Sequence, residues 1–557
     1  MLKKEQEKEV GNVGKIKPNL KENEKHVRDT LSVCPVCYKL LPTTIFERDG
    51  KIWMRKVCEE HGEFEQLYWG DAEMYYRAMK FEAKPRRVEI TYTKLTLPCP
   101  FSCGLCPIHQ TQTILGNIVV TNRCDLSCFY CFFYAERANY VYEPTQEEYR
   151  QMLRQLRKQA PLYSMAIQLT GGEPLVREDI VDLLRIAKEE GFYHVQLNTN
   201  GIKFAQEGGV ELAKKIKKAG VSTIYLSFDG IDPKINFKNH WEIPYVLDAF
   251  RKAEITSVVL VPTVIKGWNT HEVGRIVKFA ALNNDVIRGI NFQPVSFVGT
   301  MPRDEIEKQR ITIPEVINLI EEQTNGQITH DSWYPTPVVD IFTNFIEAFT
   351  GEEQQHWTIH PACGMATYAY VDKSSKEVKF APINEFVDVD GLLEYLKEET
   401  EEIRKGKNKK LITAKAVLKF RSFIKKEPKT FSFSKQLYNM FIAKKHNEAI
   451  YSFHMNFLYL GMMHFQDPYN YDLQRVMRCG IHYVMPDGRV VPFCTFNVFP
   501  DIYRDTTQKR FSYNIEEWKK LHGEKSIGDA IKYRRDLRKL SSGEIYKRTY
   551  EPFLNLQ

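Results

Sequence analysis

The 557-residue sequence contains no run of about 18 apolar residues, the length that a membrane-spanning helix needs, so we expect no such helix. No apolar segment follows the charged N-terminus, which argues against a secretory signal and favours the cytoplasm. The net charge of +7 is small for this length, and it does not by itself indicate nucleic-acid binding. No internal repeat is visible, apart from one cysteine spacing that occurs twice.

Cysteine is the informative residue type, with twelve in a chain whose expected compartment keeps thiols reduced. Metal sites are therefore favoured over disulfides. Cys124, Cys128 and Cys131 follow a predicted strand with the spacing C-x3-C-x2-C. Three thiolates leave one iron of a [4Fe–4S] cluster open, and the amino and carboxylate groups of S-adenosylmethionine can bind there. The spacing alone also fits a zinc knuckle or three buried cysteines.

Six apolar segments alternate with helical patterns from residue 117 onwards. The alternation predicts a parallel sheet with crossover helices, an α/β fold of the partial (β/α)6 barrel type. The predicted strands are 117–121, 166–170, 194–198, 223–228, 257–264 and 289–295.

Polar residues and glycines follow the second, third and fourth predicted strands. Each group alone is typical of a turn or a helix cap, but a parallel barrel builds its active site at these strand ends. We expect the glycines to let a ligand approach the backbone and Glu173 to bind its ammonium group. Together with the cysteines, these motifs resemble the radical S-adenosylmethionine (SAM) superfamily. The expected cofactor-binding residues are Tyr130, Gly171, Gly172, Glu173, Pro174, Asn198, Thr199, Asn200, Ser227, Asp229, Thr263 and Gln293.

A second C-x3-C-x2-C group precedes the first barrel strand, so we do not expect it to hold the catalytic cluster. Cys99, Cys103 and Cys106 instead indicate an auxiliary iron–sulfur cluster, with zinc as the alternative.

A third group combines C-x2-C with C-x2-H about twenty residues further on. Cys34, Cys37, Cys58 and His61 suit one tetrahedral ion, zinc or a mononuclear iron, with a structural role. His61 can also be a turn residue ahead of Gly62.

The order of the motifs resembles the archaeal tetraether lipid synthases within the radical SAM superfamily, from residue 31 to about residue 500. The resemblance implies formation of a carbon–carbon bond between terminal methyl carbons of isoprenoid lipid chains, after hydrogen abstraction by a 5'-deoxyadenosyl radical. It also implies one or two auxiliary clusters, with Cys363, Cys479 and Cys494 as further ligands, and it favours iron in the N-terminal module. The motifs that carry it are CPVC, CEEHGEFEQLYWGD, CPFSCGLCPIHQ, TNRCDLSCFYC, HPACGMATYAYV, INEFVDVDGLL, GMMHFQDPYNYDLQRVMRCGIHY and PDGRVVPFCTFN.

A lipid substrate implies a membrane-facing entrance and a peripheral location at the inner face of the membrane. An apolar helical face and a basic run, 404–429, are the candidates for membrane contact. A core-facing helix and a solvated charged helix are the alternatives. We further expect a ferredoxin- or flavodoxin-like electron donor and no nucleic acid. The apolar face comprises Val338, Ile341, Phe342, Phe345, Ile346 and Phe349.

Six regions follow from these patterns. They are a disordered tail (1–30), a rubredoxin- or zinc-knuckle-like metal module (31–70), an auxiliary-cluster segment (71–115), the partial barrel (116–310), a helical and lipid-facing region (311–450), and an α+β auxiliary-cluster region with a tail (451–557).

Two other functions compete with lipid coupling. A radical SAM methyltransferase acting on a pterin keeps the chemistry and changes the substrate. A non-catalytic iron–sulfur electron carrier belongs to a different class, but a carrier normally closes each cluster with four protein ligands. A zinc-dependent nucleic-acid binder is supported only by the third cysteine group and the basic run.

Overall fold

The computed structural model describes residues 13–133, 138–375, 377–407, 419–441 and 445–554. Its N-terminal part is an antiparallel sheet whose four strands pair in sequence order, followed by one short helix. The elements are β1 (Lys25–Val33), β2 (Leu40–Arg48), β3 (Lys51–Cys58), β4 (Gly62–Trp69) and α1 (Ala72–Met79).

Strand β1 begins inside the stretch that we predicted to be a disordered tail. Charged residues suggested disorder there, but the structure pairs them. Glu24 accepts hydrogen bonds from the buried Arg55, and Arg28 forms an ion pair with the buried Asp472. A prediction from composition cannot detect these ion pairs, because the partner residues lie far away in the sequence.

Six parallel strands form the centre of a second, larger sheet, in agreement with the predicted α/β architecture. They are β5 (Leu115–Thr121), β6 (Ala166–Gly171), β7 (His194–Thr199), β8 (Thr223–Ser227), β9 (Val258–Val261) and β11 (Ile287–Pro294), with the short β10 (Thr263–Val264) beside β11. The helices between them are α2 (Gln146–Arg157), α3 (Ile180–Glu189), α4 (Gly209–Lys218), α5 (Ile243–Lys252) and α6 (Val273–Leu282).

The C-terminal half extends this sheet at both edges. Strand β15 (Phe457–Met463) pairs with β11, and β16 (Ile481–Val484) pairs with β5, both in parallel. The other strands are β12 (Tyr334–Pro335), β13 (Gly364–Asp372), β14 (Lys379–Pro382) and β17 (Val490–Pro492). The helices are α7 (Ile306–Gln309), α8 (Ile313–Gln323), α9 (Val339–Thr350), α10 (Val389–Arg404), α11 (Phe433–Phe441), α12 (His446–Asn456), α13 (Leu473–Met477), α14 (Phe493–Val498), α15 (Arg504–Arg510), α16 (Ile515–His522), α17 (Leu537–Ser542) and α18 (Glu544–Tyr550).

The apolar face of α9, one of the two candidates for membrane contact, is largely covered by α10. Phe345 is buried against Leu396 and Ile403, and the neighbouring apolar residues of α9 pack into the same cluster. Phe342 and Ile346 keep more than a third of their surface exposed. The alternative, a core-facing helix, therefore describes most of this face.

The basic run is described only in part, because residues 408–418 lie outside the described residues. Of its apolar residues, Phe420 packs on the α9–α10 cluster and Ile424 forms a β-bridge with Val387. In the described ranges, no helix is long and apolar enough to cross a membrane.

Candidate active site

A cavity of about 590 Å³ lies beside the central sheet, and the three cysteines of the C-x3-C-x2-C loop after β5 are on its wall. Pro174 lies in the buried turn behind Glu173, and Asp229 reaches the cavity through the side chains that it binds. The predicted residues that line the cavity are Cys124, Cys128, Tyr130, Cys131, Gly171, Gly172, Glu173, Asn198, Thr199, Asn200, Ser227, Thr263 and Gln293.

The cysteine loop is held by hydrogen bonds to its backbone carbonyls. Thr300 donates from its backbone N–H to the carbonyl of Cys131 (2.9 Å), and Lys532 donates to that of Leu126 (2.8 Å). Burial raises the pKa of the Cys128 thiol to about 12. A thiolate at this position therefore needs a positively charged partner, and a metal centre supplies one.

The two glycines after β6 lie close against neighbouring backbone. A Cβ on Gly171 would lie 2.1 Å from the carbonyl oxygen of Thr121, and one on Gly172 would lie 2.2 Å from that of Arg123. Both oxygens accept backbone hydrogen bonds from this turn, at 2.9 Å. The glycines thus let the end of β6 approach the segment that enters the cysteine loop.

Glu173 is buried and organises the neighbouring strand end. Its carboxylate accepts hydrogen bonds from the Thr199 hydroxyl (2.6 Å) and from the backbone N–H groups of Asn200 (2.7 Å) and Leu175 (3.0 Å). Burial, followed by the nearby charge of Asp125, raises its pKa to about 8. The protonation state of Glu173 is therefore sensitive to any charged ligand that enters the cavity.

Asp125 is a residue that the sequence patterns did not single out. Its Oδ1 accepts a hydrogen bond from Asn200 Nδ2 at 2.8 Å, whereas its buried Oδ2 has no partner among the described residues. The feature of the sequence that could have selected Asp125 is its position between Cys124 and Cys128. A buried oxygen without a donor fits a site that a ligand completes.

Asp229 joins the fourth strand end to the cysteine loop. Its carboxylate accepts hydrogen bonds from the Tyr130 hydroxyl and from the backbone N–H of Thr263 (3.0 Å), and it pairs with Lys238 at 2.8 Å. Lys238 lines the cavity, and Asn239 next to it donates to the carbonyls of the third and fourth strand ends. Neither Lys238 nor Asn239 belongs to a recognisable motif, so sequence reasoning had no signal by which to select them.

The N-terminal module brings its four predicted ligands together. The ligand atoms of Cys34, Cys37, Cys58 and His61 all lie within 4.8 Å of one another. His61 Nδ1 is 3.4 Å from the Cys58 sulfur and 3.7 Å from the Cys34 sulfur. One tetrahedral ion fits between ligand atoms at these separations, and His61 therefore faces the metal site.

The second cysteine group lines a small separate cavity. Cys99, Cys103 and Cys106 are buried there, together with His109. The Cys103 sulfur lies 3.8 Å from the hydroxyl of Thr495, in the C-terminal half.

The three lone cysteines lie near one another although more than a hundred residues separate the first from the others. Burial raises the pKa of Cys479, and the neighbouring Cys494 and Cys363 raise it further. Arg475 donates to the Cys363 sulfur at 3.4 Å, which places a buried positive charge beside the group.

The second group and the lone-cysteine group are neighbours. Burial raises the pKa of the Tyr471 hydroxyl, and the next contributions come from Cys103 and Cys99, with a smaller one from Cys494. The same hydroxyl lies 2.9 Å from that of Thr495.

Comparisons with known proteins agree with this geometry. The model of the radical SAM superfamily matches residues 118–280, and that of the HMPTM N-terminal zinc ribbon domain matches residues 26–70. The chain is thus a radical SAM enzyme, a class that binds a [4Fe–4S] cluster and SAM, and it carries an N-terminal zinc ribbon with a metal site. A 7,8-dihydro-6-hydroxymethylpterin dimethyltransferase of Methanocaldococcus jannaschii is 45% identical over 504 residues, which cover 89% of this chain and 97% of the relative. The chain belongs to the family of this dimethyltransferase.

More distant matches cover a smaller share of the chain. A GTP 3',8-cyclase of Marinobacter nauticus is 30% identical over 34% of this chain and 55% of the relative. Among solved structures, Streptococcus suis SuiB bound to precursor peptide SuiA has a TM-score of 0.32 at 20% identity, over 39% of this chain and 46% of that chain. Methylornithine synthase has a TM-score of 0.29 at 17% identity, over 38% and 64%.

These findings correct the predicted substrate. Lipid carbon–carbon coupling, a lipid substrate and membrane contact are wrong, because the relative that matches almost throughout is named for a pterin. The tetraether family is not confirmed either. The motifs behind that resemblance consist mainly of metal ligands and the turns that hold them, and such motifs do not specify a substrate.

Proposed function

We propose that the protein is a radical SAM methyltransferase that acts on a pterin. The alignment with the pterin dimethyltransferase over 97% of that relative's length is the observation that carries this proposal. The cavity beside the cysteine loop supports it, because an electron carrier needs no ligand-sized space next to its cluster.

In this proposal Cys124, Cys128 and Cys131 hold the SAM-binding cluster. The cluster and SAM, when bound, supply the radical that removes a hydrogen atom from an unactivated carbon. The protein orients the ligand and excludes water. Asp125 offers its free oxygen to a donor group, and the Asp229–Lys238 pair fixes the opposite strand end.

Two auxiliary iron–sulfur clusters fit the remaining cysteines. Cys99, Cys103 and Cys106 form one ligand set, and the three lone cysteines form the other. The first set is buried, and in the second set Cys494 is buried while Cys363 and Cys479 are partly buried. Soft thiolate ligands suit iron–sulfur clusters as well as zinc. The buried Arg475 offsets negative charge at the second set.

We infer zinc for the ribbon, from the match to a zinc ribbon domain and the mixed sulfur and nitrogen ligands.

Expression in a bacterial host tests the function even when the methyl donor has not been identified, because the cell supplies the small molecules. We expect mass spectrometry to find methylated pterins in cells that make the wild-type protein and none in cells that make Cys128→Ala. Purified protein should also cleave SAM under anaerobic, reducing conditions. SAM cleavage without any methylated pterin would refute the pterin assignment and leave the radical SAM class intact.

A further inference from the structure

Three amide side chains form a row across neighbouring strands of the central sheet. Asn117 of β5 is in register with Gln168 of β6, which is in register with Gln196 of β7. Residues in register on parallel strands project on the same side of the sheet. All three line the cavity, and Gln168 Nε2 donates to Asn117 Oδ1 at 2.9 Å.

The row leaves one donor and one acceptor unused. Asn117 is 1% exposed, and its Nδ2 has no hydrogen-bond partner in the described part of the chain. Gln196 Oε1 likewise lacks a partner within the described ranges. A buried polar atom without a partner costs about 1–3 kcal/mol, and a ligand in the cavity that bonds to both of these atoms would remove that cost.

The surroundings of the row suit a flat ring. Tyr225 on β8 and Tyr459 on β15 both line the same cavity. Aromatic side chains can pack their broad apolar faces against a planar ligand, and the amides can form hydrogen bonds with its polar edge.

The row is also set back from the carboxyl ends of its strands. Gln168 and Gln196 are two residues nearer the amino ends of their strands than Thr170 and Asn198. The cysteine loop follows the carboxyl end of β5. A ring whose edge rests on the row therefore extends towards the proposed cluster.

We propose that this row binds the pyrimidine edge of a pterin, with Asn117 Nδ2 donating to the ring carbonyl and Gln196 Oε1 accepting from the 2-amino group. The assignment rests on the proposed function and names the residues that recognise its substrate. A pyrimidine edge with a carbonyl at one end and an amino group at the other matches the two unused amide atoms in number and in kind.

Binding measurements on the holoenzyme with SAM test the row directly. The probes are 6-hydroxymethyl-7,8-dihydropterin and its analogue with a 2-oxo group in place of the 2-amino group. We expect wild-type protein to bind the pterin about tenfold more tightly than the analogue, the equivalent of one hydrogen bond to a buried group. Asn117→Leu should weaken pterin binding by a similar factor.

The near-isosteric Gln196→Met is the decisive variant, because it should bind the pterin and the analogue equally. Gln151→Met, on the exposed side of α2, should keep the wild-type preference. Unchanged iron and zinc contents show that each variant is folded. Full discrimination by Gln196→Met would overturn the row assignment while pterin binding itself stands. Wild-type protein that cleaves SAM but binds no pterin would overturn the proposed function and this assignment together.

Discussion

At the scale of single residues, the cysteines fall into groups that should control separate metals. The ribbon ligands lie within 4.8 Å of one another, and the cysteine loop lines the cavity. We expect Cys37→Ser to lose zinc and keep iron, and Cys128→Ala to lose part of the iron and keep zinc. Elemental analysis of anaerobically purified protein measures both metals. Loss of both metals from either variant would show that the sites are not independent.

The ion pair between Lys238 and Asp229 is nearly inaccessible to solvent, so its removal has a predictable cost. Lys238→Met leaves the buried Asp229 carboxylate without its cation, which should destabilise the protein by about 3 kcal/mol. The double variant with Asp229→Asn should recover part of this loss, because no unpaired charge remains. Denaturant unfolding of the four proteins gives the coupling energy. Strictly additive losses would mean that the two side chains do not interact.

Residues that share a fixed spacing could be selected from the sequence, whereas single residues that act through distant partners could not. The C-x3-C-x2-C groups and the strand-end motifs stand out because several informative residues lie close together in the chain. Asp125, Lys238 and Arg475 act through partners that only the fold brings near. Buried pairing of this kind leaves no periodic pattern in a sequence.

At the scale of elements, the parallel order of the central strands could be predicted, but the two added edges could not. Alternating strands and helices imply crossover connections. The apolar patterns of 457–463 and 481–484 do not indicate which edge of the sheet each strand joins. Those pairings bring the segments that carry Cys363, Cys479 and Cys494 near one another. The proximity of these cysteines could therefore be predicted only from the resemblance to a known family.

Helix α18 docks on the central domain through a histidine whose charge state should control stability. His240 stacks on Tyr550 with ring centroids 4.3 Å apart, and its Nε2 lies 2.8 Å from the Tyr546 hydroxyl. Burial lowers the pKa of His240 to about 4. Between pH 6.5 and 4 the unfolded chain thus binds more protons than the folded chain, and stability falls as the pH falls.

The variant His240→Gln should remove this pH dependence, because glutamine can accept from the Tyr546 hydroxyl but does not titrate. Between pH 7 and pH 5 we expect wild type to lose about 2 kcal/mol more unfolding free energy than the variant. Anaerobic denaturant unfolding at both values measures the difference. His271→Gln, at an exposed position, should behave as wild type, and equal pH profiles for wild type and His240→Gln would contradict the prediction.

At the scale of the whole molecule, residues near both ends of the described chain form hydrogen bonds with segments distant in sequence. Strand β1 binds the segment before α13 through Arg28, and Thr30 donates to the same Asp472 carboxylate at 2.7 Å. At the other end, the backbone N–H of Tyr533 donates to the carbonyl of Asp125 at 3.0 Å. The cysteine loop is therefore fixed by residues about four hundred positions away, which no local pattern could reveal.

Lys532 provides a test of this long-range support. Its Nζ donates to the carbonyls of Cys124 (3.2 Å) and Leu126 (2.8 Å), so Lys532→Met should loosen the cysteine loop without removing a metal ligand. We expect iron to be lost to a chelator about tenfold faster than in wild type, the equivalent of about 1.4 kcal/mol of lost hydrogen bonding. Lys539→Met, on the exposed helix α17 of the same segment, should lose iron at the wild-type rate. Because the ribbon lies apart from this contact, zinc should leave both variants equally slowly. Equal rates of iron loss in the two variants would show that the C-terminal segment covers the loop without stabilising it.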